Sequence, residues 1–481
     1  MKVFCFLLFL FSFFHGQTQT TNFFFEEIQL DGEIVTWKTN KIREYSIIID
    51  STAFHSGRRS LKIKSTSEND SMKSGYFSQT MKINYEKAQK ITINAFIRTE
   101  NVHGKAGLWC RVLDEKDELI WYEDFFMQGK VIEGTKGWKM YSLPLLVDNK
   151  AKKLIFGGEL RGKGAVWYDD FTVISNKKGS KPPMSIEKYI KHLKKTVKNN
   201  SIYSDSLDWK KIHQELQILS EGMEGLEDAP VLANYLLNKL REKGDNHSFL
   251  MNKIMTNAAF ESNTDEGEPY AKMLDSNTAY LYIPGVSTLN DSILLNFAYK
   301  IQVLIKDLDS KYLIKTWVVD LRENTGGNMY PMIAGIGPLI GDGLAGYFIS
   351  PKKEEKWFYK NGASWEDARL QVKIKQPYYL KNINIKIAVL IGENTASSGE
   401  MTAISFIGKS NVKLFGQETA GYITANEGYP LLDGSNLYLA VARVADRNKK
   451  IYLDGIKPDV RIDESADEIQ VFNVIKEWLN E

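Results

Sequence analysis

A strand that is apolar on both faces cannot lie on a surface. Two such runs stand in this chain, residues 316–321 (Thr-Trp-Val-Val-Asp-Leu) and 385–391 (Ile-Lys-Ile-Ala-Val-Leu-Ile). Neither has the polar/apolar alternation of a half-exposed strand. Each must be covered from both sides, as the strands of a parallel sheet between helices are. Residues 279–283, 412–415 and 437–444 read as further strands. Ile293, Phe297, Ile301 and Leu304 recur at helical spacing between them. Such alternation of strands and helices predicts an α/β layer architecture over residues 251–481.

Upstream the period changes twice. Ile91, Ile93, Ala95 and Ile97 alternate with polar residues, as do Leu61 and Ile63. Turn signals recur between these short runs at Ser56-Gly57, His103-Gly104, Asp117, Gly134, Gly137 and Gly162. Closely spaced short strands with turn residues predict a β-sandwich over residues 20–175. Residues 176–183 (Asn-Lys-Lys-Gly-Ser-Lys-Pro-Pro) read as a linker. Over 184–250 the spacing becomes helical: Ile186, Ile190, Leu193 and Val197 share one face, and Trp209, Ile212, Leu216 and Leu219 a second, behind Asp208 as N-cap. A third face, Leu232, Tyr235, Leu236 and Leu240, comes after Asp228 and a first-turn Pro230. These three helices are expected to form a cap on the α/β segment.

At the start, Lys2 precedes an apolar run over residues 3–14, too short for a bilayer span, before the chain turns polar at His15. This pattern predicts a signal peptide over residues 1–16 and an exported protein, periplasmic or extracellular, with no stable membrane span after cleavage. Lys+Arg number 62 against 60 Asp+Glu, so nothing advertises a nucleic-acid partner. Of the two cysteines, Cys5 lies in the leader, which leaves Cys110 and excludes a disulfide framework or a Cys-rich metal site.

Three loops carry chemistry. Asp320-Leu321-Arg322-Glu323-Asn324-Thr325-Gly326-Gly327-Asn328 comes after the first apolar strand, and its paired glycines either make a tight turn or aim backbone N–H groups at a ligand. Gly392-Glu393-Asn394-Thr395-Ala396-Ser397-Ser398-Gly399-Glu400 comes after the second. There Ser397 and Glu400 fit a capping box, yet a serine at a strand-to-helix turn also suits a nucleophile beside a positive helix terminus. Gly244-Asp245-Asn246-His247-Ser248 closes the helical segment and holds one of six histidines.

The ordered set of His loop, Asp-Leu-Arg-x-Asn-x-Gly-Gly, Thr-Ala-Ser-x-x-Glu, Gly416-Gln417-Glu418-Thr419-Ala420-Gly421, Asp433-Gly434-Ser435 and Gly455-Ile456-Lys457-Pro458-Asp459 resembles the C-terminal processing (tail-specific) and tricorn-type serine peptidases. The resemblance covers residues 185–475 and implies a crotonase-like α/β core. It also implies Ser397 as nucleophile, with the Ser398 amide and a glycine of Gly326-Gly327 as oxyanion hole. Tail-specific proteases place a lysine base directly after Thr-x-Gly, where this chain has Tyr422. Tyrosine, with a pKa of ~10, is a poor base at neutral pH. The tricorn-type branch uses a histidine in the segment where His247 stands, with a serine before it; here that place holds Asn246. The acidic member of the set is read as Glu427, with Asp446 second, beside the reading of each as simply a solvated loop charge. About 30 residues separate His247 from the strand at Ala279, too few for the PDZ domain that many processing proteases carry.

In the N-terminal segment, Phe23-Phe24-Phe25-Glu26-Glu27, His55-Ser56-Gly57-Arg58-Arg59-Ser60-Leu61 and Val166-Trp167-Tyr168-Asp169-Asp170-Phe171 resemble strands of galactose-binding-like jelly rolls, the fold of carbohydrate-binding modules. Such domains bind sugars in some proteins and only dock in others, and Trp109, Trp121 and Trp138 are either stacking platforms or packing residues. The expected whole is multidomain: a jelly-roll β-sandwich, a helical cap and a crotonase-like α/β peptidase core. Its expected activity is hydrolysis of a peptide or protein substrate through an acyl-enzyme, without metal or organic cofactor. The alternative is a non-catalytic binding protein on the same fold, taking a peptide, glycan or apolar ligand. A glycan or cell-surface partner for the sandwich is left open by the sequence.

Overall fold

The computed structural model describes residues 22–28, 34–66, 73–175, 179–261 and 267–479. The expected leader, with Cys5, and positions 176–178 of the expected linker lie outside the described residues. The chain divides into two compact units between Lys178 and Gly179. Among the described residues no helix is long and apolar enough to cross a membrane.

The N-terminal unit is β-rich and its eight strands pair antiparallel throughout. Two long strands, Gln89–Leu113 and Lys153–Ser175, form its spine and run against each other for most of their length. The register shifts twice along this ladder, between Asn94 and Phe96 and between Glu100 and His103. Bulges of this kind bend a strand. Gly104 and Gly162 face each other beside the second bulge with φ of +125° and +97°. A Cβ on either would fall 2.3 or 2.2 Å from the opposite strand's backbone oxygen, so only glycine fits there. The alternation read from the sequence has a physical counterpart: Ile91, Ile93 and Ala95 are fully buried, and the unit's core also holds Trp37, with its ring 5.1 Å from that of Phe77 and 5.0 Å from that of Phe171. Trp109 and Trp121 are buried; Trp138 keeps part of its surface in solvent.

The second unit opens with three helices, Met184–Asn200, Trp209–Ser220 and Pro230–Arg241. Asp208 caps the second by accepting from the amides of Lys210 and Lys211 at 3.1 and 3.0 Å. The unit also holds a six-stranded sheet in the order Tyr270–Met273, Thr278–Tyr282, Thr316–Asp320, Lys386–Ile391, Val412–Gly416, Val460–Arg461, parallel except at its first pair. Both apolar runs occupy its centre. One face (Leu281, Trp317, Val319, Ile387, Val389) packs with Phe297, Ile301, Met332 and Ile333 of helices Asp291–Lys311 and Met329–Ile340. The other (Val318, Ala388, Leu390, Phe415) packs with Val471 and Ile475 of helix Glu468–Leu479.

A second sheet was not anticipated. It runs Arg369–Lys373, Ala363–Glu366, Glu354–Lys360, Gly343–Ile349, Asn436–Asp446, Thr424–Pro430, antiparallel throughout, with Phe249–Met251 and Ile451–Tyr452 also paired to Asn436–Asp446. Its strand Thr424–Pro430 lies at one edge.

Candidate active site

The loop after Lys386–Ile391 is fixed before its serine is reached. Thr395 Oγ1 donates to Leu321 O at 2.8 Å and accepts from Gly392 N, and Ala396 N donates to Asn324 O at 3.0 Å. Asn324, fully buried, donates in turn to the carbonyls of Ile283 and Pro284. Three strand ends are thereby tied at one point. Ser397 comes next with φ +51° and ψ −117°, immediately before the short helix Ser398–Ile404. A non-glycine residue held there stores roughly 1–3 kcal/mol of strain, which surrounding contacts must offset. They do so through Glu400, whose Oε2 accepts from Ser397 N at 2.8 Å and whose Oε1 accepts from Gly421 N at 2.9 Å and from Thr419 Oγ1. Burial raises the Glu400 pKa and these hydrogen bonds pull it back. The side chain of Ser397 points instead to a histidine.

That histidine is His247, on the turn between helix Pro230–Arg241 and strand Phe249–Met251. Its Nε2 lies 2.9 Å from Ser397 Oγ, although the two residues are 150 positions apart. Asp245 shapes the turn, accepting from the amides of His247 and Ser248 at 3.1 and 2.9 Å and from Ser248 Oγ at 2.6 Å. On its far side, His247 Nδ1 lies 2.8 Å from Thr424 Oγ1. Burial lowers the imidazole pKa to about 4, against the opposing pull of Asp245 and of a hydrogen bond to the Thr424 backbone.

Two expectations are corrected here. Glu427 does not reach the imidazole: its carboxylate accepts from Tyr429 Oη at 2.8 Å and pairs with Lys353 Nζ at 3.5 Å, with its side chain 44% exposed. Asp446 instead holds a turn, accepting from the amides of Asn448 and Lys450 and from Tyr452 Oη. The place behind the ring is taken by a hydroxyl. A third correction concerns Gly326, whose amide is spent on Asn324 Oδ1 at 3.1 Å. What Gly326 supplies is room: a Cβ there would lie 2.9 Å from Ser397 Cβ. Gly327 and Ser398 both line the cleft, and neither amide donates to an acceptor among the described residues. Ser398 Oγ donates to Gly327 O at 2.7 Å and fastens the two segments together.

The cleft at Ser397 is a cavity of about 970 Å³. Val286, Met329, Phe348 and Met401 give it an apolar wall, and Glu355, Glu366 and Arg369 a charged one. Among the described residues no lysine lines it. Tyr422 stands at its mouth, 40% exposed, its ring 5.7 Å from that of His247. No group of three or more metal-ligating side chains occurs among the described residues. Sequence reasoning missed Thr424 and Asn426, which no local motif marks, and read Glu400 only as a cap.

Comparison with known proteins gives a family and several relatives. Residues 277–462 match the model of peptidase family S41. The nisin-resistance protein of Lactococcus lactis subsp. lactis is 31% identical over 280 residues, 58% of this chain and 84% of that protein. The carboxy-terminal processing protease CtpA of Bacillus subtilis (strain 168) is 30% identical over 196 residues, 40% of this chain and 36% of the protease. Among solved structures, a lipoprotein from Streptococcus agalactiae aligns with a TM-score of 0.49 at 26% identity, over 62% of this chain and 97% of its own. The photosystem II D1 C-terminal processing protease aligns with a TM-score of 0.42 at 12% identity, over 60% and 97%.

Proposed function

The chain belongs to peptidase family S41 and is a serine peptidase, and from that premise we propose that Ser397 is its nucleophile and His247 its general base. The observation that carries this is the 2.9 Å approach of His247 Nε2 to Ser397 Oγ, at a serine held in a strained backbone conformation at the rim of the cleft. Ser397 Oγ attacks the substrate carbonyl carbon while its proton passes to Nε2. The oxygen of the tetrahedral adduct gathers negative charge, which the free amides of Gly327 and Ser398 are placed to receive. The imidazolium then returns the proton to the leaving nitrogen, and the acyl group stays on Ser397. Water, deprotonated by the same imidazole, releases it. With a pKa of about 4, His247 is neutral at physiological pH and has a lone pair for the first transfer.

In this reading the protein is exported, on the pattern of residues 1–16, and the N-terminal unit is a jelly roll that directs a crotonase-like core to a cell-surface or glycan partner. Peptides are the substrate class, and nisin, for which one relative is named, is the first to assay. The test is labelling by a fluorophosphonate. The parent protein should be modified at Ser397, and Ser397→Ala should remain folded, unlabelled and inactive. Peptide hydrolysis that survives Ser397→Ala would sink the assignment.

A further inference from the structure

Serine peptidases that use a histidine base usually set a carboxylate behind it, and here, among the described residues, no carboxylate hydrogen-bonds to the ring. Thr424 stands at Nδ1, with its hydroxyl at 2.8 Å. We propose that Thr424 and Asn426 are positioning residues that form an uncharged relay in place of the acid, holding His247 with its proton on Nδ1 and its lone pair on Nε2. The proposal rests on the reading of His247 as base.

The amide of Asn426 sets the direction of every proton in the relay. Its Nδ2 donates to His247 O at 2.7 Å, which fixes which end of the amide is which. Oδ1 therefore turns toward Thr424 Oγ1, at 3.3 Å. An amide oxygen only accepts, so the Thr424 hydroxyl must spend its single proton on it. What Oγ1 has left for His247 is a lone pair. Nδ1 must then be the protonated nitrogen of the neutral ring, and Nε2, facing Ser397 Oγ, the acceptor. The loop closes on itself: ring to Thr424, Thr424 to Asn426, Asn426 back to the main chain of His247. Orientation and tautomer are set together, and no net charge is buried to do it.

The surroundings fit. Thr424 is 6% exposed and begins the edge strand Thr424–Pro430, where its branched Cβ restricts χ1 and holds the hydroxyl in place. Asp245, the buried carboxylate of the His247 turn, is occupied by Ser248 and by two backbone amides. During attack one proton moves, from Ser397 Oγ to Nε2; the proton on Nδ1 stays where it is, with Thr424 as acceptor. The relay thus positions the base and shares the imidazolium charge only as a dipole does.

The rate and affinity of fluorophosphonate labelling test this on the full chain without knowledge of the natural substrate. Thr424→Val keeps shape and strand propensity and removes the hydroxyl. It should lower kinact about 10- to 100-fold, the range known for removing the hydrogen-bond partner that orients a metal-bound imidazole, with KI unchanged. Thr424→Ser restores the hydroxyl and should return kinact to within a few-fold of the parent. Asn426→Ala, on a half-exposed position, should fall between them and covers the case in which Thr424→Val does not fold. Folding of each variant is checked by its thermal transition. Labelling of folded Thr424→Val at the parent rate overturns the relay, as does a Thr424→Ser that is as slow as Thr424→Val. A parent protein labelled equally with and without Ser397 overturns the underlying assignment instead, so the two failures are told apart.

Discussion

With burial holding its pKa near 4, the His247 imidazole is neutral from mildly acidic pH upward. The protonated ring cannot accept from Ser397, so the labelling rate should climb with pH through about 4 and then stay level through neutrality. A histidine backed by Glu427 would instead titrate at or above its ordinary pKa of ~6.5. A rising limb centred there would mean that a carboxylate moves onto Nδ1 in solution. Stability has the same sign. The unfolded chain takes up this proton near ~6.5 and the folded chain near about 4, so the stability linked to the neutral ring is complete above the first value and is lost as pH falls through the second. At this scale the legible residues are those with a sequence neighbourhood. Ser397 sits in Thr-Ala-Ser-x-x-Glu and His247 in a short polar turn, whereas Thr424 meets His247 across 177 residues and is marked by nothing local. Glu427 attracted attention because it is charged and comes after the Thr-Ala-Gly loop. A strand side chain can turn to either face, and Tyr429 and Lys353 engage this one.

At the scale of elements, Glu400 ties together several segments around the site. It stands in the first turn of helix Ser398–Ile404, fully buried, and accepts from the nucleophile's own amide and from the loop of Thr419 and Gly421. Glu400→Ala would leave those donors without an acceptor, and a buried set of that kind is worth about 3 kcal/mol or more. The expected outcome is a stability lowered by that amount in denaturant titration and loss of labelling, since Ser397 would relax from φ +51°. A variant with parent stability and parent labelling would show that the turn is held by the Thr395 and Asn324 contacts alone. Elements with a strong period or an all-apolar run could be read from the chain. Residues 316–321 and 385–391 demanded cover on both faces, and helices lie on both faces of their sheet. Of the antiparallel sheet only residues 437–444 were read as a strand, within Asn436–Asp446; its other strands escaped because they are short and mix charge with aromatics. Glu354–Lys360 buries only Trp357 and Tyr359, and its alternation is visible only once its neighbours are known.

On the scale of the whole chain, every residue assigned to the chemistry falls within one of the two compact units, residues 179–481. That unit has its own core, with Trp317, Val319, Ile387 and Val389 packed against its own helices, while the N-terminal unit closes around Phe25, Trp37, Phe77 and Phe171. Two cores of this size are the signature of segments that can fold separately. The balanced charge and the near absence of cysteine left function to be read from loops alone, and those loops all come from the second unit. A chain beginning at Gly179 is therefore expected to melt in a single cooperative transition and to be labelled by a fluorophosphonate at the parent rate. If labelling is unchanged but hydrolysis of a large peptide falls, the β-rich unit contributes by bringing substrate or surface to the cleft, and glycan or cell-envelope binding by residues 22–175 alone becomes the measurement to make. If the shortened chain instead aggregates or labels slowly, the two units depend on each other for stability, and the N-terminal one is part of the peptidase.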